Sequence, residues 1–158
     1  MLMELKEAFG IVVRYLILLI LAINSLYLLY LVFTPLTVYP VYFILNLIYG
    51  ATLLEGNVIF FEGVYAELIT ACIAGAAYYF LLILNLSTPM RIERRIYSIL
   101  FILASFLIIN IIRIAFFGFL LVSGFEYFDV THKIVWYTGS TILVLIIWFA
   151  NVYLFKIK

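Results

Sequence analysis

Cys72, Arg113 and His132 are the side chains of this apolar sequence best suited to chemistry: a thiol, a guanidinium and an imidazole. A thiol with an ordinary pKa of about 8.5 is a few per cent ionised at neutral pH, and a neighbouring His or Arg raises the thiolate fraction. An imidazole can take a proton and return it to a leaving amine, while a fixed guanidinium can stabilise an oxyanion. Nucleophilic acyl transfer needs this set. Asn110 lies three residues before Arg113 on the same helix face. Asp129 lies three before His132 and four before Lys133, within reach of the imidazole as an orienting partner or of the lysine as an ordinary ion pair. The sequence has one Cys and one His, which excludes an internal disulfide and falls short of the usual zinc ligand sets. No metal or cofactor is expected.

The elements that must position these groups are apolar helices. Of the 158 residues, 69% are hydrophobic and 11% charged, with a mean hydropathy of +1.31. A water-soluble domain is roughly 45–50% apolar and about 25% charged, so the implied solvent is a lipid bilayer. Four segments are long enough to span it: Ile11–Phe33, Val64–Leu86, Ile96–Val122 and roughly Val130–Phe155. A fifth, Leu36–Gly50, is short and carries Pro40 and Asn46; it reads as a tilted span, a re-entrant hairpin or an interfacial helix. Ile11–Phe33 is too long for a signal-peptide core and lacks a small-x-small cleavage site, which predicts a retained anchor. Within Thr52–Gly63, Glu55-Gly56-Asn57 reads as a turn and Val58–Phe61 as a β-prone strand. The expected fold is therefore a single all-α integral membrane domain over residues 1–158, a bundle of four to five transmembrane helices with a short extracytoplasmic β-prone loop.

Charge sets the orientation. Arg91, Arg94 and Arg95 share one loop and Lys156 and Lys158 close the chain, whereas Glu55, Glu62, Glu67, Glu126 and Asp129 lie on the opposite loops. The positive-inside rule then places the Arg loop and C-terminus in the cytoplasm. Glu4, Lys6, Glu7 and Arg14 are too balanced to orient the N-terminal segment by themselves. The sequon Asn85-Leu86-Ser87 falls beside the Arg loop and reads as chance. The net charge of +1 offers no field for nucleic acid.

On these boundaries the three reactive groups share a depth. Arg113 lies nine residues before the outer end of its span, about 13 Å below it. Cys72 lies eight residues after Val64, about 12 Å down, with Gly75, Ala76 and Tyr79 on the same small-residue face. Ser123-Gly124-Phe125-Glu126 fits a capping box, so the last helix is predicted to begin near Gly124, with His132 also about 12 Å down. Other readings stand beside the catalytic one: Cys72 as inert packing, His132 as an interfacial hydrogen-bonding group, and Arg113 as a structural partner of a carbonyl or of Glu67. The Tyr and Trp residues read as interface belts and helix packing.

Ala71-Cys72-Ile73-Ala74-Gly75, Asn110-Ile111-Ile112-Arg113-Ile114, and His132 with Gly139 seven residues on, resemble in order and spacing the exosortase/archaeosortase family. That family carries an Ala-Cys-Ser-Gly type motif, an Asn-x-x-Arg motif and a His or second Arg on successive transmembrane helices. Ile73 and Ala74 stand where the family pattern has a polar residue and a spacer. The resemblance covers about residues 52–158, and the chain is short for the family, as a minimal member without extra N-terminal helices.

The resemblance implies a membrane cysteine transpeptidase that cleaves secreted proteins at a C-terminal tail made of a short motif, a transmembrane helix and a basic cluster. Cutting would take place near the outer face of a prokaryotic, archaeal-type plasma membrane, with transfer to a lipid or other surface acceptor. It assigns Cys72 as nucleophile, Arg113 as oxyanion or thiolate stabiliser and His132 as proton carrier; Asn110, of the Asn-x-x-Arg motif, and Asp129, from its spacing to His132, are the expected supporting residues. The rival reading is a non-enzymatic membrane subunit or small transporter in which Arg113 and His132 line an ion or proton path.

Overall fold

Long runs of Leu, Ile, Val and Phe satisfy their backbone groups internally as helices, and pack through side chains that differ little around the helix. The computed structural model describes residues 2–156, with side chains from Phe9 onward. The charges of Glu4, Lys6, Glu7 and Lys158 lie outside the side chains so described. Helix α1 (Leu2–Tyr49) leads into an antiparallel sheet of strands β1 (Thr52–Leu54), β2 (Val58–Phe61) and β3 (Val64–Glu67), in the order β1-β2-β3. Helices α2 (Thr70–Ile73), α3 (Gly75–Ser87), α4 (Ile92–Val122) and α5 (Phe128–Ile134) follow; a π-helical turn over Val135–Gly139 joins α5 to α6 (Ser140–Phe155).

Among the described residues, four helical stretches are long and apolar enough to cross a membrane: Phe9–Tyr49, Thr70–Ser87, Ile92–Val122 and Phe128–Phe155. Their outer faces carry bare apolar side chains such as Leu47, Phe149 and Tyr153. At the centre the Phe33 ring stacks on Tyr78 at 3.7 Å, and Phe106 meets Tyr78 edge-on at 4.7 Å.

Leu36–Gly50 is not a separate pass. It continues α1, which runs through Pro35 and Pro40 and breaks instead at Ile23–Leu26, where Asn24, Ser25 and Leu26 all have positive φ. Asn tolerates that conformation better than most residues.

The start of the second span also differs from expectation. Val64–Glu67 pairs with Val58–Phe61 as a β-hairpin, so the helix begins at Thr70. Glu55–Asn57 forms the expected turn as a short 3-10 helix, and Val58–Phe61 is the central strand. The sheet sits beside the last turns of α4: a Cβ on Gly118 would lie 3.5 Å from the Phe61 ring.

The capping box is overturned as well. Ser123 closes α4, its hydroxyl donating to the Leu120 carbonyl at 2.8 Å, and Gly124 turns the chain with φ +65. Helix α5 starts at Phe128 without a side-chain cap.

Basic and acidic residues are unevenly shared between the two ends of the molecule, with Glu93 at the mainly cationic end and Lys133 at the mainly acidic one. Arg14 donates to the Leu86 carbonyl, Ser98 bonds Asn151, and Phe101 meets Phe155, so the early part of α1, the end of α3, the start of α4 and the end of α6 gather at one end. Arg14, Arg91, Arg94, Arg95 and Lys156 lie there. Glu55, Glu62, Glu67, Glu126 and Asp129 lie at the other, around the sheet and α5.

Candidate active site

Cys72, Arg113 and His132, from α2, α4 and α5, line one cavity of about 210 Å³, together with Phe117, Lys133 and Trp136. A second hollow of about 170 Å³ adjoins Cys72 and His132 on the side of Glu67 and Gly118. The shared depth does not arise as the helix counts predicted. Cys72 is two residues into its helix and His132 four into its own, roughly 3 and 6 Å rather than 12 Å from their starts. The groups still converge because the hairpin and the 123–127 turn replace the outermost helical turns, so that α2 lies beside Asn110 of α4 and α5 begins beside Phe117.

Cys72 sits on a four-residue helix that ends at Ala74, whose φ of +60 is left-handed. A residue with a Cβ pays about 1–2 kcal/mol for that conformation. The break detaches the Cys72 carbonyl from its helical donor, and Asn110 Nδ2 donates to it at 3.0 Å. Asn110 is wholly buried, and its Oδ1 has no partner among the described residues. The small-residue face is split by the same break: Gly75 and Tyr79 belong to α3 and pack on α1, with the Tyr79 hydroxyl donating to the Leu18 carbonyl at 3.1 Å. A Cβ on Gly75 would lie 2.7 Å from the Tyr30 ring, so glycine permits this approach. Ala76 is exposed on another side.

Arg113 is half-buried, and its Nη1 donates to Ser140 Oγ at 2.5 Å. It lines the same cavity as Cys72. The partner it finds is thus a hydroxyl rather than the Glu67 carboxylate, which borders the neighbouring hollow.

His132 is half-buried between two aromatic rings. Phe128 stacks on it at 5.6 Å with planes 7° apart, and Phe117 meets it edge-on at 5.0 Å. These contacts fix the ring plane without a carboxylate. Asp129 is exposed, and among the described residues no hydrogen bond joins it to His132 and no ion pair joins it to Lys133. The structure therefore brings together Cys72, Asn110, Arg113 and His132 and leaves Asp129 at the surface.

Ser140 is the residue that sequence reasoning missed, because α-helical counting turns it about 80° away from His132. A second polar cluster was also missed at the cationic end. Arg95, read as a loop charge, is 5% exposed and donates to the carbonyls of Asn85 and Thr88, closing the end of α3. Asn85 is wholly buried and donates to Ser98, whose hydroxyl donates to Asn151 Oδ1 at 2.8 Å. That burial removes the sequon from any modifying enzyme. The signal available was the recurrence of Asn and Ser inside apolar helices, which rarely face lipid.

The cavity presents a thiol, a guanidinium bonded to Ser140 and an imidazole packed between aromatic rings. No family model, curated protein or solved structure matches the chain.

Proposed function

We propose that this chain is an integral membrane cysteine transpeptidase of the exosortase/archaeosortase kind. The observation that carries the reading is the convergence of Cys72, Arg113 and His132 from three helices on one cavity. The bare apolar flanks support a bilayer setting. The cationic end carries Arg14, Arg91, Arg94 and Lys156 and faces the cytoplasm, so the cavity opens toward the extracytoplasmic side of the plasma membrane.

The chemistry is acyl transfer in two steps. The Cys72 thiolate attacks the scissile carbonyl carbon, and the Arg113 guanidinium donates to the oxygen as negative charge gathers on it. The peptide C–N bond breaks, His132 gives its proton to the leaving amine, and the C-terminal tail departs while the substrate remains as a thioester on Cys72. A hydroxyl or amine acceptor, a membrane lipid in this reading, then attacks the thioester. His132 takes the acceptor's proton and the thiolate leaves. Substrates are secreted proteins whose tails combine a short motif, an apolar helix and a basic cluster, the helix lying beside the bundle and the cluster at the cationic end.

Tail release from such a substrate, in membranes holding wild-type or Cys72→Ser protein, tests the reading. Release by the wild type and its loss in the variant are expected. Equal release by both would return Cys72 to packing and favour a subunit or transporter.

A further inference from the structure

We infer that Ser140 is a positioning residue for Arg113, brought to the site by the π-helical turn over Val135–Gly139; the inference rests on the transpeptidase reading for its catalytic meaning. Arg113 lies within a span, half-buried, and the side chain that holds it among the described residues is the Ser140 hydroxyl. A guanidinium swings on a long flexible stem, and one well-placed acceptor fixes the plane of its remaining donors. Arg113 lines the cavity that Cys72 and His132 also line.

The π turn explains why a serine eight residues after His132 can take part. In an unbroken α-helix, residues eight apart point about 80° away from each other. The extra residue of a π turn takes back about 100°, which leaves His132 and Ser140 within about 20° of one direction. Trp136, midway between them, lines the His132 cavity and, together with Ser140, a neighbouring hollow of about 520 Å³. A π turn is less favourable than α-helix and recurs at functional sites, and here it turns one helix so that it delivers both the imidazole and the acceptor that steadies the guanidinium. The flanking Thr141 hydroxyl bonds instead to the Tyr137 carbonyl at 3.1 Å, a local helix contact away from Arg113.

The test reads the position of the Arg113 charge through the Cys72 thiol, which lines the same cavity. In membranes holding the full chain, the rate of Cys72 alkylation by iodoacetamide is measured at fixed pH for wild type, Ser140→Ala, Ser140→Thr, Arg113→Gln and the Ser140→Ala/Arg113→Gln double variant, with Thr141→Ala as neighbour control. Ser140→Ala should slow alkylation roughly fivefold, Ser140→Thr and Thr141→Ala should stay within about twofold of wild type, and the double variant should be no slower than Arg113→Gln alone. A wild-type rate in Ser140→Ala, or additive losses in the double variant, overturns the positioning role. Tail release by wild type in the same membranes is scored separately. Release without the coupling removes Ser140 from the account and leaves the transpeptidase standing; the coupling without release does the reverse.

Discussion

The side-chain amide of Asn110 donates to the backbone carbonyl of Cys72 at 3.0 Å. The four-residue helix that carries Cys72 lies between the hairpin and the break at Ala74, and this bond ties it to the helix that carries Arg113. The backbone at Cys72 is therefore bonded to the same helix that carries Arg113. Asn110→Ala should lower stability by about 1–3 kcal/mol, because it strands a carbonyl in an apolar setting. Asn110→Asp should be at least as harmful, since it sets an acceptor against an acceptor. Thermal unfolding in detergent checks both, and an Asp variant as stable as wild type would contradict the clamp.

Ala74 offers a test of the break itself. Its positive φ costs a residue with a Cβ about 1–2 kcal/mol. Glycine removes that cost but adds about 0.4–1 kcal/mol of unfolded-chain entropy. Ala74→Gly should be neutral to mildly stabilising, while β-branched Ala74→Val should destabilise clearly. The same unfolding measurement decides, and a Val variant more stable than the Gly variant would mean that the helix runs unbroken past Cys72.

These two residues show what the sequence reveals and what it hides. Cys72, Arg113 and His132 stood out because reactive groups are rare in so apolar a chain, and α4 ends at Val122 as its hydropathy implies. The strand at Val58–Phe61 was legible from its β-branched and aromatic residues. Val64–Glu67 was not, because an apolar strand next to an apolar helix shows no change in hydropathy. The break at Ala74 lacks a proline or a positive-φ glycine to announce it, and Gly75 serves close packing against Tyr30 instead. Ser140 was hidden by a π turn that α-helical counting does not include.

Arg113→Lys should not restore turnover, because an ammonium on a flexible stem does not reproduce the planar fork of donors. The expected loss is on the order of 10²–10³ in rate. His132→Ala should cost roughly 10²–10⁴, whereas Asp129→Asn should stay close to wild type, since Asp129 is exposed and unbonded to the imidazole. Single-turnover tail release measures all three. A larger loss in Asp129→Asn than in His132→Ala would invert the assignment.

Orientation is separable from chemistry. In a Cys72→Ala background, a membrane-impermeant thiol reagent applied to intact cells should label single cysteines at positions 57 and 126 and spare one at position 91. Labelling at 91 from outside would turn the cationic end outward and place the cavity on the wrong side for secreted substrates.

The central claim is a thioester on Cys72, and hydroxylamine reads it directly. With a tailed substrate and wild-type protein in membranes, the nucleophile should intercept the acyl-enzyme and give a hydroxamate-ended product together with free tail. Cys72→Ser should give neither, because a hydroxyl is far less ionised than a thiol. Hydroxamate at the cleaved end with wild type and none with Cys72→Ser is the predicted result; tail release without hydroxamate, or equal release by the serine variant, would contradict the account.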